Sequence, residues 1–179
     1  MNISGSIKNL SRQVDENKVK FGISGTCELL VELFSLHFEK RNIVEKICAA
    51  MANLSTNNEN QVKLSGSCKL LFQVLKTYQN DKDVVYFAFS TLRNLSCNKV
   101  ACSDFPDQSN YAVIIDALRQ HHGVRDIVDK ASILIRNLIV LNKGNKKQFN
   151  SLGAKEVLKK CVRTEQAHRT LSSLGWSLF

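Results

Sequence analysis

The chain has 179 residues, 44% of them apolar, and carries 25 Lys and Arg against 16 Asp and Glu, a formal net charge of +9. That is enough apolar side chain for a buried core, yet no stretch approaches the roughly 18–20 apolar residues of a membrane span. The first residues also lack the charged start and apolar run of a secretory signal, so nothing in them points to export.

The first predicted element is a helix bearing Ile3, Ile7 and Leu10 at i, i+4 and i+7 and ending in Ile7-Lys8-Asn9-Leu10. The same ending, apolar–x–Asn–Leu, returns as Met51-Ala52-Asn53-Leu54, Leu92-Arg93-Asn94-Leu95 and Ile135-Arg136-Asn137-Leu138, with the asparagines 44, 41 and 43 residues apart. Each copy has its own stripe upstream: Ile47, Met51, Leu54; Ala88, Leu92, Leu95; Ala131, Ile135, Leu138. These stripes predict one buried helix per copy. A period in the low forties is the length of a two- or three-helix solenoid unit, which buries its apolar face only by stacking on neighbours.

After the first asparagine a second follows in three copies, Asn17, Asn60 and Asn145, with Phe21, Leu64 or Phe149 four residues on. This spacing predicts a short helix docked by one large side chain. Next comes a turn: Ser24-Gly25-Thr26-Cys27-Glu28-Leu29-Leu30 is matched 41 residues later by Ser65-Gly66-Ser67-Cys68-Lys69-Leu70-Leu71, and Leu152-Gly153-Ala154 repeats it near the end. Glycine there accepts a positive φ, and the neighbouring Ser or Thr is expected to cap the following helix. The third copy departs from pattern between Ser96 and Tyr111, where Asn98, Cys102 and the sole proline, Pro106, occur without a turn glycine; its short helix is expected to be deformed or its loop long. A final stripe, Ala167, Leu171 and Leu174, has Ser173 in place of the asparagine and reads as a closing cap.

These features together resemble the armadillo repeat, whose third helix ends in Leu-x-Asn-Leu, followed by Asn, an apolar anchor and Gly at the turn into the next long helix. The resemblance covers nearly the whole chain. It implies an all-α, right-handed armadillo-type solenoid, with a HEAT-like solenoid as the alternative. The units it implies are 1–13 (the final helix of an incomplete repeat), 14–55, 56–96, 97–139 (irregular) and 140–179 (C-terminal repeat and cap). Since 1–13 matches only a final helix, the N-terminal end is expected to be bare: either the chain is a piece of a longer protein, or a partner or second copy covers that end.

In the family, third helices line a concave groove, and the asparagine bonds the backbone of an extended peptide. A carboxamide both donates and accepts, so a ladder of them can hold a chain without reading its sequence. The resemblance makes Asn53, Asn94 and Asn137 the rungs, with Asn9 a fourth in an incomplete unit. The competing reading is structural, each asparagine bonding the backbone at the end of its own helix. Lys8, Arg93 and Arg136 precede the asparagines, and such cations suit an acidic or phosphorylated segment. The tryptophan that importin-alpha-like recognition places four residues before the asparagine is missing, replaced by Gly5, Ala49, Ser90 and Ile133, so basic nuclear-localisation peptides do not fit.

Charge is uneven, with eight basic against two acidic residues in 141–179. Lys143, Lys146, Lys147, Lys155, Lys159 and Lys160 there form a basic patch, read first as a solubilising cap and secondarily as a surface for anionic lipid or RNA; no interleaved aromatics support base stacking. Of the cysteines at 27, 48, 68, 97, 102 and 161, several sit among apolar neighbours and none forms a CxxC pair; they are read as reduced core thiols. The Asn-x-Ser matches at Asn2, Asn9, Asn53 and Asn94 are read as the repeat motif or chance, not as glycan sites. His37, His121, His122 and His168 are scattered, and no nucleotide loop or nucleophile elbow occurs. The expectation is a non-catalytic scaffold or adaptor, without cofactor, metal or small-molecule substrate, in the cytoplasm or on nuclear or cytoskeletal structures. The alternative is a structural piece of a larger cytoskeletal or ciliary assembly, contacting through its bare N-terminal end, where self-association is a further option.

Overall fold

A computed structural model describes residues 3–12, 14–101, 105, 108–161 and 163–176. Asn2, Cys102 and Pro106 lie outside these, as does the side chain of Ile3. The described residues form helices and turns with no strand: α1 (Ile3–Ser11), α2 (Asp15–Ile23), α3 (Thr26–Leu36), α4 (Arg41–Leu54), α5 (Asn58–Lys63), α6 (Cys68–Thr77), α7 (Lys82–Leu95), α8 (Ala112–Gln120), α9 (Arg125–Leu141), α10 (Gly144–Ser151), α11 (Ala154–Lys160) and α12 (Glu165–Ser173).

The helices bearing the asparagine motif pack side by side as one row, α1 on α4, α4 on α7, α7 on α9 and α9 on α12. A second row runs through α6, α8 and α11. Between the rows lies the core, in which Ile47, Met51, Leu54, Ala88, Leu92, Leu95, Ala131, Ile135 and Leu138 are all buried. The stripes read from the sequence are therefore the faces that meet. The arrangement is a helical solenoid, each unit covered by its neighbours.

Local signals set the helix ends. Asp81 caps α7 by accepting from the Asp83 and Val84 amides at 3.2 and 3.1 Å, and Asn57 caps α5 through Glu59 and Asn60 at 3.0 and 3.1 Å. Gly25 and Gly153 turn the chain into α3 and α11 with φ of 77° and 75°, values that a side chain would disfavour.

Two expectations at these turns fail. Gly66, the sequence counterpart of Gly25, sits in a 3-10 turn, Ser65–Ser67, with no positive φ. Nor do the flanking hydroxyls cap: α3 and α6 have no side-chain cap bond, because Ser24 Oγ and Ser67 Oγ instead donate back to Phe21 O and Leu64 O at 3.0 and 2.7 Å. In the third unit a 3-10 turn, Gln108–Tyr111, leads into α8, and the Tyr111 ring stacks on Phe149 of α10 at 4.9 Å between centroids; Cys102 and Pro106, where the irregularity is expected, lie outside the described residues.

Candidate functional site

The row of motif helices is where the sequence places its candidate residues, and the structure brings Asn53, Arg93, Asn94, Arg136 and Asn137 onto α4, α7 and α9 of that row. The asparagines point their amide nitrogens backwards along the stack. Asn53 Nδ2 donates to Lys8 O at 2.8 Å, Asn94 Nδ2 to Ala52 O and Ser55 Oγ at 3.2 and 3.0 Å, and Asn137 Nδ2 to Ser96 Oγ at 2.9 Å. Every acceptor belongs to the preceding motif helix or the turn that ends it. The own-helix capping role is thus corrected: these asparagines tie neighbouring units together.

Capping of the helix end falls to the second asparagine. Asn17 Nδ2 donates to Leu10 O at 2.8 Å, Asn60 Nδ2 to Leu54 O at 3.2 Å and Asn145 Nδ2 to Leu138 O at 2.7 Å, each meeting a carbonyl in the last turn of a motif helix; Leu54 O and Leu138 O also accept from the Asn57 and Asn142 amides, both at 3.1 Å. Asn60 also reaches Lys18 O at 3.0 Å, locking α5 onto α2. The serines of the Asn-Leu-Ser tripeptides went unread as partners. Ser55 Oγ and Ser96 Oγ donate to Ala52 O and Arg93 O at 3.1 and 2.7 Å while accepting from the next unit's asparagine. Their signal was in the chain, since Ser11, Ser55 and Ser96 all follow Asn-Leu.

The rungs differ in what they leave free. Asn94 is buried and its Oδ1 accepts from Arg93 Nη1 at 2.8 Å, so its carboxamide is engaged on both sides. Asn53 and Asn137 are half-buried, and their oxygens have no partner among the described residues. Asn9 is exposed.

Cations also line this row. Arg136 Nη1 and Nη2 both donate to Gln166 Oε1 of α12 at 3.1 Å, while Arg93 Nε is buried without a partner. Lys8 Nζ stands 5.1 Å over the Phe87 ring and Lys130 Nζ 4.6 Å over Tyr86, and these two rings meet edge-on at 5.0 Å. None of Lys8, Arg93, Lys130 and Arg136 makes an ion pair among the described residues. Asp129, next to Lys130 in sequence on α9, has an Oδ1 that is buried without a hydrogen-bond partner. Tyr86, Phe87, Lys130 and Gln166 had no motif to mark them.

The basic patch lies at the far end. Lys143 precedes α10, which carries Lys146 and Lys147, and α11 carries Lys155, Lys159 and Lys160; all but half-buried Lys155 are exposed. Lys159 Nζ sits 5.5 Å over the Trp176 ring. Of the histidines, His121 is buried and its Nε2 pairs with Gln79 O at 2.7 Å, a link between units. Cys27, Cys48, Cys68 and Cys161 are buried free thiols, whereas Cys97 is exposed past the end of α7, a correction to the core reading of that residue. No helix among the described residues is long and apolar enough to cross a membrane.

No family model and no curated protein matches the sequence. Among solved structures, a designed armadillo repeat protein superposes with a TM-score of 0.53 over 96% of this chain and 90% of that chain, at 17% identity. At that identity the likeness is one of fold, and it identifies the solenoid as armadillo-type.

Proposed function

We propose that the chain is a non-catalytic protein-interaction scaffold that holds an extended acidic or phosphorylated segment of another protein along the row α1, α4, α7, α9 and α12. The observation that carries this reading is the set of cations without acid partners among the described residues, Lys8, Arg93, Lys130 and Arg136, on α1, α7 and α9 of the row. Guanidinium groups meet carboxylate or phosphate in two-point geometry. The Gln166 oxygen now held by both Arg136 nitrogens marks where such an oxygen would bind.

The ladder takes a reduced form. Asn94 is occupied by Ala52, Ser55 and Arg93 and serves the stack. Asn53 and Asn137 keep their carboxamide oxygens for a peptide N–H, and Asn9 keeps its whole amide. The ring faces of Tyr86 and Phe87 hold Lys130 and Lys8 in place along the row.

The test is fluorescence anisotropy with a labelled peptide rich in glutamate and phosphoserine. Replacing Arg93 and Arg136 with glutamine is expected to weaken binding at least about tenfold, and added salt to weaken it further. Equal binding of an uncharged peptide, or an unchanged affinity in the double variant, would remove the groove as the working site.

A further inference from the structure

Helix α12 is one turn shorter at its start than α4, α7 and α9. From Arg41 to Asn53, Lys82 to Asn94 and Arg125 to Asn137 those three run twelve residues from their first residue to the motif asparagine, whereas α12 runs eight, from Glu165 to Ser173. Four residues at a rise of 1.5 Å leave about 6 Å of helix missing. The chain crosses that stretch through Arg163 and Thr164 outside any helix, with Thr164 capping α12 by accepting from Ala167 N at 3.1 Å. The gap stays open as a cavity of about 580 Å³ between α9, α11 and α12, within the size range of small-molecule sites.

Its lining combines two chemistries. The floor is apolar, built from Leu158, Cys161, Ala167 and Leu171, all buried. Gly175, at φ 86°, turns the chain back so that Trp176 N donates to Leu171 O at 3.0 Å, which sets the indole as one wall. Around the rim stand Arg125, Lys159, Arg163 and His168, all exposed, and none makes an ion pair among the described residues. The acid at the rim, Glu165, is held by Arg169.

Arg125 stands on α9 where Arg41 stands on α4, and the comparison shows what it lacks. Arg41 meets two carboxylates, Glu45 of its own helix and Asp81, the cap of the next motif helix. In the later pair of helices Asp129 takes the place of Glu45 without pairing to Arg125, and the cap of the next helix is the uncharged Thr164.

We propose that this cavity binds a small organic carboxylate with an apolar body. The carboxylate lies on Arg125 as that of Asp81 lies on Arg41, Lys159 and Arg163 add to the positive field, and the apolar body covers the floor beside Trp176. An inorganic anion leaves the floor wet and a neutral apolar molecule leaves the cations unpaired, so the ligand needs both halves. The site is separate from the groove, because Arg125 lies eleven residues before Arg136 on α9, about 16 Å along the axis.

Trp176 is the sole tryptophan of the chain, so its emission reports on this cavity directly. Titration with 4-phenylbutyrate, followed by that emission and by calorimetry, is expected to give saturable binding at one site. 4-Phenylbutyramide, which has the body without the charge, and acetate, which has the charge without the body, should each bind at least about tenfold more weakly. Arg125→Gln should weaken 4-phenylbutyrate by a similar factor. Thr164→Asp keeps a capping oxygen on α12 and supplies the carboxylate that Asp81 supplies to Arg41, so it should retain the thermal midpoint while abolishing binding. Lys143→Gln, outside the cavity, should bind as the wild type does. No saturable heat or emission change in the wild-type chain, equal binding of the amide, undiminished binding by Thr164→Asp, or a loss in Lys143→Gln equal to that in Arg125→Gln would each overturn the assignment.

Discussion

Arg41 Nε and Asp81 Oδ2 lie 2.6 Å apart across 40 positions of sequence, joining the start of α4 to the residue that caps α7. A second contact, Arg41 Nη2 to Asp81 Oδ1 at 3.1 Å, makes the pair bidentate, and the same carboxylate accepts from the Asp83 and Val84 amides. One side chain therefore starts a helix and fastens two units.

Asp81 is the place to test that double role. The Arg41 hydrogen bond is the main cause holding the Asp81 carboxyl below its ordinary 3.8. A lowered folded pKa means stability that is fully present above the unfolded value and is lost as pH falls through the folded one. Asp81→Ala removes cap and ion pair and is expected to cost about 1–2 kcal/mol, whereas Asp81→Asn keeps a capping oxygen and should cost less. Urea unfolding at neutral pH and near pH 3 measures both. The gap between wild type and Asp81→Asn should shrink at the acid end, and a gap independent of pH would contradict the ion-pair role.

Gly22 makes a steric prediction. A Cβ there would stand 1.9 Å from Asn60 Oδ1, against a buried side chain whose amide joins α5 to α2 and to Leu54 O. Alanine has the better helix propensity by roughly 1 kcal/mol, yet Gly22→Ala should destabilise by about 1–3 kcal/mol through the displaced asparagine. In an Asn60→Ala background the clash is gone, and Gly22→Ala should become neutral or mildly stabilising. Additive losses in the double variant would disprove the coupling.

The row of motif helices was legible because its apolar stripes at i, i+4 and i+7 carry an asparagine at each end, and the second asparagine was legible as the start of a docked short helix. The direction of the first asparagine's amide was not. Whether Asn94 meets its own helix, a peptide or Ser55 depends on the separation of neighbouring units, which spacing along one chain does not encode. Gly25 and Gly66 share a seven-residue pattern, but the 3-10 turn Ser65–Ser67 lets the second copy enter its helix without the left-handed step. Cys97 was read with the core thiols, but α7 ends at Leu95 and Cys97, two residues on, is exposed. The third unit kept its stack despite the irregular sequence, since Tyr111 supplies a ring against Phe149.

Thiol chemistry separates the cysteines. Burial pushes Cys27 up to about 12 and Cys161 up to about 11, and raises Cys48 as well, so few of these groups are thiolate near pH 8. Among the described cysteines, iodoacetamide should modify exposed Cys97 alone in the folded protein. Peptide mass spectrometry reads this directly. The buried thiols should label only when denaturant unfolds the stack, and native labelling of Cys48 at the rate of Cys97 would contradict the packed core.

The strongest test of the asparagine row compares two copies of one motif. Asn94 is buried and makes three side-chain contacts with Ala52, Ser55 and Arg93, so removing its amide leaves buried groups without partners. Asn94→Ala is expected to cost about 1–3 kcal/mol, which at roughly 2–4 °C per kcal/mol for a chain of this size is a clear fall in thermal midpoint. Asn9 stands at the same place in the apolar–x–Asn–Leu motif but is exposed, so Asn9→Ala should stay within about 0.5 kcal/mol. Differential scanning calorimetry on the two variants decides the matter. If both are neutral, the backward-pointing amides do not hold the stack, and the asparagines are left to ligand binding alone. If Asn94→Ala alone destabilises, one residue type at one motif position holds units together where its amide is buried between them and contributes little where it is exposed.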